Sequence, residues 1–87
     1  MQADKKHIIR LLNTSKGQIE GIIKMINEDK YCIEISNQIL ASIAILKRAN
    51  IEILEAHLNN CVVNAETIEE RQEKMEEVSE ILKKVTK

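Results

Sequence analysis

With 87 residues, no Pro, Phe or Trp and a single Tyr, the chain is one domain at most, and its richness in Ile, Leu, Glu and Lys is that of an all-helical protein. A net charge of −1 is not that of a strongly basic DNA-binding domain, and no apolar run approaches the ~20 residues that span a bilayer. The charge is uneven, however: residues 1–50 hold eight Lys and Arg against five Asp and Glu, and residues 51–87 hold five against nine, so the front half permits nucleic-acid contact without demanding it.

Three helices are expected in one domain over 1–87, at about 4–28, 31–62 and 67–86. Asp4 is a ready N-cap for the first. Ile8, Leu12, Ser15, Ile19, Ile22 and Ile26 then recur at spacings of three and four, which predicts one buried seam, widened by Ile9, Leu11 and Ile23. Gly17 and Gly21 interrupt the helix at about 1 kcal/mol each relative to Ala. Four residues apart, they share a face on which another helix can approach closely. Asn27 to Lys30 is a polar break of turn length.

The second helix carries Cys32, Ser36, Ile39, Ile43, Leu46, Asn50, Ile53 and His57 in a heptad-like progression, with Cys61 one turn beyond His57. Asn50, polar in the middle of this stripe, is placed to fix register between helices. After a connector at 63–66, Thr67 with Glu70 forms a possible capping box for the third helix. Ile68, Met75, Val78, Ile81, Leu82 and Val85 make its sparse apolar side. Lys83, Lys84 and Lys87 complement the dipole at its end.

Cys32, His57 and Cys61 carry the chemistry. His57 and Cys61 are four apart and share a helix face. Cys32 precedes His57 by 25 residues, roughly 37 Å along a straight helix, so one chain cannot bring all three together. Two copies packed antiparallel about a two-fold axis near residues 45–47 can, because Cys32 of each then lies opposite His57 and Cys61 of the other. A small all-helical chain has independent reason to complete its core by oligomerising. The same distance forbids a disulfide within the chain.

Two thiolates and an imidazole suit Cu(I) or Zn(II) and not Mg(II) or Ca(II). Structural zinc wants four ligands, usually in closely spaced pairs that are absent here, whereas Cu(I) is content with three. Taken alone, the three residues also fit small core hydrophobes and a hydrogen-bonded interface histidine. No Ser, His and Asp constellation, phosphate loop or paired-carboxylate signature is present, and a Cys and His on one helix face lack a pocket, so the chain is not expected to be an enzyme.

GQIEGIIKMINEDKYC, the Gln38-Ile39 pair, LKRAN and AHLNNC together resemble the copper-sensitive operon repressor family, closely over residues 8–63 and loosely over the third helix. The resemblance places Cys32, His57 and Cys61 at the family's ligand positions in the combination associated with Cu(I). It implies an all-helical, disc-like tetramer of two antiparallel dimers that binds operator DNA when metal-free and releases it with Cu(I). By position it also makes Tyr31 and Glu77 hydrogen-bond partners of the ligand histidine. For DNA contact it puts Arg48 at a basic position of the second helix, beside Lys47, and with Lys5, Lys6, Arg10 and Lys16 these make the candidate basic face. The chain departs from the family where an arginine-rich run usually precedes the Gly-Gln pair: RLLNTSKGQ offers only Arg10 and Lys16.

The reading is therefore a Cu(I)-sensing repressor in the cytoplasm, with operator DNA and its own copies as partners and no membrane association. The alternatives are a persulfide- or electrophile-sensing dithiol repressor of the same family, and a purely structural helical oligomer. Nickel and cobalt, as harder ions, call for more nitrogen or oxygen donors than the motif provides.

Overall fold

The computed structural model describes residues 1–85 and, at Cys61 and Val62, the backbone alone; Thr86 and Lys87, where the third helix was expected to end, lie outside the described residues. Its elements are α1 (Lys5–Asn27), α2 (Cys32–Asn64) and α3 (Ile68–Val85), with no strand among the described residues. Asp4 caps α1 as its sequence position predicts, its Oδ1 accepting from the backbone N–H of Lys6 at 3.1 Å and of His7 at 3.4 Å. α1 ends where Asp29 adopts φ 53°, the left-handed region that Asp tolerates better than most residues. The N–H groups of Lys30 and Asp29 turn back to the carbonyls of Met25 and Ile26, at 3.0 and 3.1 Å, closing off the helix in a Schellman pattern. At α3, Thr67 Oγ1 accepts from the N–H of Glu70 at 3.0 Å, and Glu70 Oε2 accepts from the N–H of Glu66 at 3.3 Å. The capping box is thus present with its return bond one residue early.

α1 and α3 both pack on α2 and not on each other. The contacts between α1 and α2 run antiparallel: Ser15 Oγ meets Ser42 Oγ at 2.7 Å, and His7 Nε2 meets Glu52 Oε2 at 2.9 Å, so going back along α1 means going forward along α2. The backbone extends over 57 × 28 × 12 Å. A backbone thickness of 12 Å is less than two stacked layers of helices would occupy, and a single layer leaves two faces uncovered.

Burial follows from that shape. The core holds Ile8, Ile22, Ala49, Leu54 and Val78, with Ser15 and Ser42 buried between α1 and α2. Here the structure corrects the expectation of one seam on α1. Ile8, Ser15 and Ile22, seven apart, face α2, while Ile9, Leu12, Ile19, Ile23 and Ile26 stay between 45% and 55% exposed on a second stripe. Gly17 and Gly21 likewise look into open space, and a Cβ on either would meet nothing within 4 Å. Among the described residues, no helix makes the close approach that their spacing predicts.

Ser15 and Ser42 satisfy one another in an otherwise apolar contact. Ser15→Ala is expected to lower stability by about 1–3 kcal/mol, since it strands the buried Ser42 hydroxyl. The double variant Ser15→Ala, Ser42→Ala should cost less than the two single changes together, read from chemical denaturation midpoints in a double-mutant cycle.

Candidate metal centre

Cys32 is the first residue of α2, and its thiol is free and exposed. It sits there because the turn at residues 28–31 ends the polar break and Tyr31 serves as N-cap, without a side-chain bond of its own. Tyr31 is 68% exposed beside it. His57 lies half-buried 25 residues further along the same unbroken helix, at the end of the molecule where the first turns of α1 lie. Cys61 follows one turn later within α2, with its side chain outside the described residues. Glu77 is exposed on α3, next to Glu73, Glu76 and Glu80 along a shallow groove.

Among the described residues, no three Cys, His, Asp or Glu side chains converge to hold a metal ion. The reason is α2 itself: its 33 residues contain no break, so Cys32 and His57 remain roughly 37 Å apart along the axis. The stripe joining them is only partly covered by the chain's own helices. α3 crosses its middle, where Lys84 and Val85 border a groove with Ile43, Leu46, Lys47 and Asn50. Towards Cys32 the stripe is open, with Ser36 and Ile39 exposed.

The basic residues divide into two groups. The His7–Glu52 contact brings the opening turns of α1, with Lys5, Lys6 and Arg10, to the same end of the α1/α2 pair as Lys47 and Arg48, and all five are exposed. Lys16 is also exposed but lies about 13 Å further along α1 from His7. Sequence reasoning missed His7 and Glu52. They stand 45 residues apart, and neither belongs to a local pattern, so nothing short of the α1/α2 register could pair them.

The chain matches the family model described as "Metal-sensitive transcriptional repressor" over residues 4–84. It is 33% identical over 84 residues to the copper-sensing transcriptional repressor CsoR of Bacillus subtilis, covering 97% of this chain and 83% of that one. To the copper-sensing transcriptional repressor RicR of Mycobacterium tuberculosis it is 39% identical over 61 residues, covering 70% of this chain and 64% of that longer one. Among solved structures, it is similar to the copper-sensing repressor CsoR with Cu(I) from Geobacillus thermodenitrificans, at a TM-score of 0.81 and 30% identity. The match covers 100% of this chain and 94% of that one. The nickel-responsive transcriptional regulator InrS aligns at a TM-score of 0.79 and 26% identity, over 98% and 96% of the two chains.

Proposed function

This chain belongs to the metal-sensitive transcriptional repressor family, and from that membership we propose a Cu(I)-sensing repressor whose metal site is shared between two copies of the chain. The family is one of transcriptional regulators, and the chain is not an enzyme. The observation that carries the reading is the separation of the donors: an exposed thiol at one end of a continuous 33-residue helix, a His and a second Cys one turn apart near the other.

An antiparallel pairing of two α2 helices sets Cys32 of one copy against His57 and Cys61 of the other. The three donors are soft or borderline and number three, which suits Cu(I). Cys32 of one copy and His57 and Cys61 of the other would hold Cu(I), which as a soft Lewis acid would accept their lone pairs and so tie the copies together. His57 ligates through one ring nitrogen and donates its other N–H to an acceptor, for which Glu77 and Tyr31 are the assigned partners. Cys32, being exposed on the first residue of its helix, reaches the site without disturbing the α1/α2 core.

The remaining parts serve DNA. Lys5, Lys6, Arg10, Lys47 and Arg48 form the phosphate-binding face, repeated in each copy of a tetramer, and Lys16 extends it. Operator release follows if the arrangement of copies that the shared site prefers differs from the one that fits DNA, because a ligand shifts such an equilibrium by its differential affinity. Among the described residues no helix is long and apolar enough to cross a membrane. The assigned place of action is the cytoplasm, where reducing conditions keep Cys32 and Cys61 as thiols.

The test is release. A duplex selected from a random-sequence pool by the metal-free protein should dissociate on anaerobic addition of one Cu(I) per chain, followed by fluorescence anisotropy, whereas Ni(II) at the same ratio should leave the complex bound. A complex indifferent to Cu(I) would refute the copper reading.

A further inference from the structure

Glu52 stands among the basic residues where the opening turns of α1 pack on α2, and it touches both helices there. Glu52 Oε2 lies 2.9 Å from His7 Nε2 on α1, and its other oxygen, Oε1, lies 3.9 Å from Nε of Arg48, one turn earlier on α2. The side chains of His7 and Glu52 are each two-thirds covered, whereas Arg48 is 62% exposed. An acid in such a place repels phosphate and weakens the attraction of Lys5, Lys6, Arg10, Lys47 and Arg48 for DNA.

An exposed Arg–Glu pair at i, i+4 restrains its arginine little when the glutamate is itself mobile. Glu52 is not mobile in that sense, since a bond from the neighbouring helix fixes one of its oxygens and leaves the other turned to Arg48. We propose that Glu52, anchored by His7, is a positioning residue for DNA recognition, aiming the Arg48 guanidinium and exchanging overall affinity for discrimination between sites. This rests on the operator-binding reading above. Arginine is the side chain for which such aiming counts, because its rigid fork of donors binds in a fixed geometry. The other charged groups around the pair are Asp4, whose carboxylate is engaged with the N–H groups of Lys6 and His7, and the exposed Glu55 on the next turn of α2.

The experiment compares the full-length metal-free protein and its variants on two duplexes, one selected by the wild type from a random-sequence pool and one scrambled from it, by anisotropy over a range of KCl concentrations. Glu52→Gln keeps an oxygen that accepts from His7, so the fold should persist by circular dichroism. This variant should bind the scrambled duplex more tightly than wild type, and its preference for the selected duplex should fall about ten-fold. His7→Ala, which removes only the anchor, should reduce the preference in the same direction. Arg48→Gln should lower the salt slope by about one for each arginine that meets a phosphate, and in that background Glu52→Gln should no longer alter the preference.

Tightening on both duplexes by the same factor in Glu52→Gln would show a plain charge effect and overturn the proposal. An unchanged preference, or a fall of the same size without Arg48, would also overturn it while leaving operator binding intact. A wild-type protein that selects no duplex at all overturns the operator reading and this inference with it.

Discussion

His57→Ala is expected to weaken Cu(I) binding by at least about a hundred-fold, since even residues that only hydrogen-bond a metal ligand cost ten- to a hundred-fold when removed. Cys32→Ala should do the same. The measurement is an anaerobic competition between protein and a chromogenic Cu(I) chelator, with thiolate-to-copper absorption followed in the ultraviolet, where one Tyr and no Trp leave a low background. Cys32 is exposed at the first residue of α2, so its loss should leave the helical content and melting temperature near those of the wild type. His57 is half-buried, and its variant needs the melting temperature measured beside the affinity.

The two substitutions also separate the three readings of the cysteines. A dithiol sensor links Cys32 and Cys61 through sulfur and needs no imidazole, so it keeps its response in His57→Ala and loses it in Cys32→Ala. A structural oligomer shows no ligand-dependent behaviour to lose. The copper reading requires both variants to fail, and a Cu(I) response surviving unweakened in His57→Ala would refute the ligand assignment.

Much of the fold was legible in the sequence because its signals are local. Asp4, Thr67 and Glu70 each bond within four residues of themselves, and the structure shows them doing so. The stripe on α1 was misread as one seam for an equally physical reason. Spacings of three and four identify apolar residues that share a side of a helix, but they cannot say whether the covering surface comes from the same chain. α2 takes only the part running through Ile8, Ser15 and Ile22, and Leu12, Ile19 and Ile26 are left outside. The ligand triad is a proposal drawn from spacing and family resemblance together, and the structure adds to it the unbroken α2 that keeps Cys32 and His57 roughly 37 Å apart. The His7–Glu52 contact has no such trace, and neither does the placing of Lys16 apart from the other basic residues.

That second stripe carries the other large effect. Ile19→Glu is expected to break the proposed oligomer, shifting the protein towards the 10.0 kDa chain in sedimentation velocity. Ile19 is 45% exposed within one chain and continues a row with Ile9, Leu12, Ile23 and Ile26. A layer one helix thick with such a row on its surface needs a second layer. In an interface with two-fold symmetry each substitution enters twice, and an uncompensated carboxylate in an apolar contact costs several kcal/mol. Ile68→Glu is the control: Ile68 is 72% exposed at the start of α3, apart from the row, and its change should leave the assembly intact. The decisive readout is Cu(I) affinity. Ile19 bears no donor atom, yet if Cys32 of one copy must meet His57 and Cys61 of another, dissociating the copies removes the site. Ile19→Glu should therefore lose Cu(I) binding along with oligomerisation, and the loss should be partly reversed at high protein concentration, where mass action restores the assembly. A monomeric Ile19→Glu protein that still bound Cu(I) with wild-type affinity would show that one chain can assemble the site alone, which the length of α2 forbids.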